Sequence, residues 1–155
     1  MSIMKKLFKL TEEGIEDLKI ELDTLIAKRP IISESIRAAR ELGDLAENAE
    51  YQSAREEQER LENRISEIEA ILQNTEIIRK SKSNKVIGLG SRVKIKNDKG
   101  VREFQIVGTV EADPLNGKIS DVSLIGSSLL NKKLGDMVEI KTTQDVSSYK
   151  IIEIF

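Results

Sequence analysis

Apolar residues recur at a three-four spacing through the first part of this chain: Ile15, Leu18, Leu22, Leu25, Ile32, Ile36 and Ala39, with Arg29 the one charged member of the series. That spacing lays a single apolar stripe along a helix, the seam by which one helix packs on another. A second seam runs through Tyr51, Ala54, Gln58, Leu61, Ile65, Ile68 and Leu72. Leu42-Gly43 lies between them, and glycine supplies the left-handed cap that ends a helix. The link is too short to return the chain to its start, so the two helices must pack antiparallel. Thr11, followed by Glu12 and Glu13, reads as an N-cap with acids in the first turn. Pro30 removes one hydrogen bond and predicts a bend near Arg29. About 30 residues at ~1.5 Å each make the first helix a rod of roughly 45 Å. Ala39, Ala54 and Gln58 near the tip allow close approach but bury little apolar area. On periodicity alone, a spacer or dimerisation coiled coil suffices.

Composition narrows the chemistry. The chain has 155 residues, 34% of them charged, with no His, no Cys and no Trp. That excludes Ser-His-Asp and Cys-His catalysis, zinc sites with nitrogen or sulfur ligands, and disulfides. Aromatics make up 3%, too few for a base-stacking platform along a nucleic-acid strand. A net charge of −2 argues against salt-driven binding to a phosphate backbone. The N-terminal MSIMKKLFKL is too short and too interrupted by lysine for a signal peptide, and no apolar run approaches a membrane span. The expectation is a cytoplasmic protein without membrane contact. Residues 1–80 carry 13 basic and 18 acidic side chains, net −5, and residues 81–155 carry 12 and 9, net +3. The expected organisation is a hairpin over 1–80, a polar linker over 81–90 and a second domain over 91–155.

The stretch ELGDLAENAEYQSAREEQ places Glu41, Asp44, Glu47 and Glu50 around Gly43. Asp44 followed by Glu47 fits a capping box, which by itself accounts for both acids. A rod presenting carboxylates at its tip is the other reading. Mg²⁺ prefers carboxylate and water ligands, and one or two protein acids suffice where a partner supplies the rest. Arg37 and Arg40 lie one turn apart below the tip, with Arg55 at a comparable height on the second helix. They form a basic face, or they pair with Glu34, Glu41 or Glu56 as surface arginines often do.

GDLAENAEYQSAREEQ resembles the GDLxENAEYxxAxEEQ signature of the Gre transcript-cleavage factors. KRPIISESIRAAREL, IVGTVEADPLNGKIS and KKLGDMVEI resemble further segments of the same family, so the likeness covers nearly the whole chain. The acidic N-terminal half places it with the GreA-like rather than the GreB-like branch, which carries a larger basic surface. The resemblance implies a monomer whose rod enters the secondary channel of backtracked bacterial RNA polymerase. There the polymerase cuts the extruded 3′ end of its nascent RNA, rescuing arrested complexes. The matching acids are Asp44 and Glu47, which help hold an Mg²⁺ shared with the polymerase active site. The chain is then not an enzyme alone and binds no cofactor stably alone. Arg40 and Arg55, with Arg37, match the basic patch that contacts RNA. Gly43, Asn48 and Tyr51 shape the tip. Two other readings stand beside this one: a Gre-like inhibitor of the polymerase channel, and a non-catalytic coiled-coil interaction protein.

Alternating segments fill the second half: 91–96, 102–108, 118–123, 137–142 and 148–154. Turn signals stand at Asn97-Asp98-Lys99-Gly100 and Asn116-Gly117. With a short helix at 125–131, this reads as a small antiparallel sheet, making the whole chain α+β. The resemblance implies an FKBP-like domain that docks at the rim of the channel. A prolyl-isomerase pocket is lined by aromatics, and this half offers only Phe104, Tyr149 and Phe155. The family pattern SPxxxALxGK departs here to Ser123-Leu124 and Asn131-Lys132. Loss of proline loosens the helix start, while asparagine tolerates the left-handed cap. Ser123 and its neighbours are the docking candidates.

Overall fold

A computed structural model describes residues 7–43, 48–79, 85–141 and 143–155. Two compact units emerge. One is Ile15–Asn74, and the other joins the residues up to Gly14 with those from Thr75 onward.

The first unit is the expected helical hairpin. Helix α1 spans Glu12–Arg40 and runs unbroken through Pro30, and helix α2 spans Ala49–Gln73. Residue numbers rise along one helix as they fall along the other: Glu21 bonds Arg64, Arg29 bonds Glu62, and Asn48 bonds Ala39. The pairing is therefore antiparallel. Ile32, Ile36, Ala54, Leu61 and Ile65 form its buried cluster, with Leu22, Leu25 and Tyr51 packed against it. Ile71, outside the predicted seam, is buried where Leu72 is only half-buried. Arg29, the charged member of the seam, stays exposed and forks onto the Glu62 carboxylate at 2.8 and 2.9 Å.

The second unit begins before the hairpin. Strand β1, Phe8–Thr11, pairs in parallel with β2, Thr75–Ile78, immediately after α2. The span expected to be hairpin, 1–80, thus also contains two strands that pair with each other. Residues 80–84, which include the start of the linker expected over 81–90, lie outside the described residues. A five-stranded sheet follows, built from β3 (Arg92–Asn97), β4 (Gly100–Val107), β5 (Lys118–Ser120), β6 (Met137–Lys141) and β7 (Val146–Ile154) in the order β5-β4-β3-β7-β6. The expected all-antiparallel sheet is corrected in one place, because β5 runs parallel to β4. Between them the chain makes two short 3-10 turns, Thr109–Glu111 and Pro114–Asn116, so it re-enters the sheet in its original direction. Gly117 closes the second turn at φ +76°.

Ile87, Val93, Ile95, Ile106, Ile119, Leu129, Val138, Ile140, Tyr149, Ile151 and Ile154 form the buried core of this unit, with Phe104 packed against it. Tyr149 and Phe104 thus serve the core. Helix α3, Leu124–Leu129, lies near the sheet by β5 and β6. A Cβ at Gly126 would meet the Ser120 carbonyl oxygen at 1.9 Å, so only glycine permits this approach. Asn131 takes the left-handed conformation anticipated for it, at φ +66°.

Candidate functional site at the hairpin tip

Asp44 and Glu47 lie outside the described residues; their flanks are described. Helix α1 ends at Arg40, Leu42 N–H bonds the Ala39 carbonyl at 3.2 Å, and Gly43 follows at φ +119°. A side chain at that φ is disfavoured, so glycine is required by the backbone at position 43.

Helix α2 begins after Asn48, and here the capping-box reading is corrected. The N-cap is Asn48, not Asp44: the Asn48 Oδ1 accepts from Tyr51 N–H at 3.1 Å in extended backbone geometry. The same side chain donates its Nδ2–H to the Ala39 carbonyl at 2.7 Å. One amide therefore satisfies a free donor at the start of α2 and a free acceptor at the end of α1. A carboxylate could do the first but has no proton for the second. The need for a donor across the turn selects asparagine at position 48.

The three arginines are in three different situations. Arg37 is engaged on its own helix: it donates to both oxygens of Glu34 at 3.0 and 2.5 Å, and to Glu41 at 2.6 Å. The hydrogen bonds and charge of Glu34 hold the Arg37 guanidinium above its ordinary range, and the Glu34 carboxyl is held below its own. Arg40 places its guanidinium carbon 5.8 Å from the centroid of the Tyr51 ring, within cation–π range. Arg55 is exposed and makes no ion pair among the described residues. Tyr51 is half-buried and packs on the apolar cluster between the helices. Ala39 and Ala54 are buried toward the tip end of the two helices.

In sequence Asp44 and Glu47 fall between these flanks, and a carboxylate pair is a donor set that suits a hard cation with most of its shell supplied elsewhere. Among the described residues no group of three or more metal-ligating side chains occurs.

Ser123 lies in the sheet unit, where its hydroxyl caps α3. It accepts from Gly126 N–H at 3.0 Å and donates to the Ser120 carbonyl at 2.6 Å. That cap holds the helix start without the proline. Exposed Val122 and Leu124 flank it. Glu111 lies in the IVGTVEADPLNGKIS segment, but no spacing assigns it a role. Its side chain is 5% exposed and accepts from both the backbone N–H and the hydroxyl of Thr11, one residue before α1. Its partner is 100 residues away in sequence, and no local spacing signals the pair.

Comparison with known proteins agrees along the whole chain. Residues 8–77 match the family model for the transcription elongation factor N-terminal domain, and 82–155 match the GreA/GreB C-terminal model. The transcription elongation factor GreA of Thermotoga sp. strain RQ2 is 49% identical over 154 residues, covering 97% of this chain and 98% of that protein. The GreA of Clostridium kluyveri is 44% identical over 159 residues, covering 99% of each. A solved structure, the GreA factor homolog 1 (Gfh1) protein of Thermus thermophilus, is 28% identical over 97% of this chain and 99% of that one, with a TM-score of 0.45. The chain belongs to the GreA/GreB family of transcription elongation factors.

Proposed function

We propose that this chain acts as a cytoplasmic monomer that inserts its hairpin tip into the secondary channel of backtracked bacterial RNA polymerase and stimulates cleavage of the nascent RNA 3′ end. One observation carries the reading: the GDLAENAEYQ signature falls between α1 and α2, where Asn48 caps the second helix. The absence of His and Cys leaves carboxylates as the natural catalytic contribution. When bound, an Mg²⁺ shared with the polymerase would supply Lewis-acid chemistry for phosphodiester hydrolysis. Asp44 and Glu47 would hold that ion through their carboxylates and help orient the attacking water. Gly43 and Asn48 hold the two ends of the acidic segment, and Arg40 and Arg55 face the extruded RNA. Arg37 contributes least, because Glu34 and Glu41 already neutralise it. In the sheet unit, Ser123 and its exposed neighbours meet the rim of the channel. The chain is not an enzyme alone, since its donor set is incomplete without the polymerase.

The test is transcript length in a stalled, backtracked polymerase complex with Mg²⁺. Added protein should shorten the RNA to a re-extendable product. Asp44→Ala/Glu47→Ala should bind polymerase with unchanged affinity and lose on the order of a hundredfold or more in cleavage rate. Unchanged cleavage by the double variant overturns the assignment. Binding without cleavage by the wild type turns the reading toward a channel inhibitor.

A further inference from the structure

Arg40 and Arg55 differ in a way that net charge does not capture. Arg55 is an exposed cation without an ion pair among the described residues, which suits a phosphate. Arg40 is also exposed, yet its guanidinium sits over the Tyr51 ring at 5.8 Å. That ring is itself fixed. Its backbone N–H is held by Asn48, and its side chain packs on the Ile32, Ile36 and Ala54 cluster. A guanidinium restrained against an aromatic face is a planar, weakly hydrated surface, and unpaired RNA bases stack on such planes. Among the described residues Arg40 makes no ion pair, and the adjacent Glu41 is bound to Arg37.

Resting on the polymerase-cleavage reading, we infer that Arg40, positioned by Tyr51, stacks on an unpaired base of the extruded RNA, and that Arg55 contacts the phosphate backbone. The pair then reads the presence of a base without reading its identity, since every base offers a π-face. The cleaved segment is selected for being single-stranded with its bases free, a state RNA adopts once displaced from its template.

The experiment uses backtracked polymerase complexes whose extruded 3′ nucleotides either carry their bases or are abasic, with the full-length protein titrated against each. Failure of the wild type to cleave either RNA would overturn the cleavage reading itself, independently of the base contact. Given cleavage, the abasic RNA should require about five- to tenfold more wild-type protein for half-maximal rate, the scale of one stacking contact. Arg40→Ala should show that loss on the normal RNA and little further loss on the abasic one. Arg40→Lys keeps the charge without the plane and should behave like Arg40→Ala. Tyr51→Phe keeps the ring and should retain the discrimination, while Tyr51→Leu should lose it at unchanged helix content. Arg55→Ala should weaken action on both RNAs equally and flatten the salt dependence. Full rescue by Arg40→Lys, or an Arg40→Ala loss equally large on abasic RNA, would overturn the inference and leave Arg40 as a phosphate contact.

Discussion

The two helices of the hairpin begin in contrasting ways. Each start leaves backbone N–H groups without a helical partner. At α1 the answer is an acid: buried Glu111 takes the Thr11 N–H and hydroxyl, and the oriented hydroxyl accepts from Gly14 N–H at 3.0 Å. A Cβ at Gly14 would press to 2.5 Å from the Glu111 carboxyl carbon, so the anchor leaves no room for a side chain there. At α2 the answer is a neutral amide, half-exposed, on a joint padded by alanines. The acid is placed where it folds the protein. At the tip, Asn48 joins the two helices with one uncharged side chain.

The strongest way to break this contrast is to remove each cap. Glu111→Ala strands a buried N–H and hydroxyl, and should cost about 2–4 kcal/mol in denaturant unfolding. Asn48→Ala loses a cap and one cross-helix bond at a partly exposed site, and should cost about 1–2 kcal/mol. Chemical denaturation of both variants, followed by circular dichroism, compares them directly. A larger loss from Asn48→Ala would make the tip the firmer joint and reverse the comparison.

Asn48→Asp sharpens it further. The carboxylate still accepts from Tyr51 N–H and its charge favours a helix N-terminus, but it cannot donate to the Ala39 carbonyl. The expected loss is less than half that of Asn48→Ala, with helix content unchanged. An equal loss would mean that the bond to Ala39 carries the joint and the cap is incidental.

These contrasts also mark what the sequence could show. Both seams were legible because a 3.5-residue repeat sustained over seven or eight positions has one structural meaning. The strands of the sheet were legible from alternation and turn residues. The cap was not: Asp44–Glu47 meets the local spacing rule, and Asn48 wins only through a carbonyl nine residues back on the other helix. The β1–β2 pair was illegible for a similar reason, since four-residue strands pairing Phe8 with Thr75 carry no local signature. The parallel run of β5 depended on two successive turns, where the sequence signalled turning but not its sum. The basic face was legible as a set of residues. Which arginine is engaged, which is stacked and which is open depends on side-chain neighbours.

The smallest expected effect lies along the stretch between the two joints, where cross-helix ion pairs replace apolar seam contacts. Hydrogen bonds from Arg64 hold the Glu21 carboxyl below its ordinary value; burial opposes this, and the charge of Arg64 adds to it. Glu62 is lowered in the same way by Arg29. A carboxylate with a depressed native pKa contributes stability that is complete above the unfolded value of about 4.3, and that contribution disappears as pH falls through the lower native value. Acidification from about pH 5 to pH 3 should therefore weaken the hairpin, and Glu21→Gln should reduce the pH dependence of its melting temperature over that window. The Glu21 and Arg64 side chains are each 39% exposed, so solvent screening keeps the gain small, at the scale of surface pairs. High salt at neutral pH should remove part of the same increment in the wild type and none in Glu21→Gln. A variant that keeps the full acid dependence would show that the pair is ornamental to stability, and that the apolar seam alone holds α1 to α2.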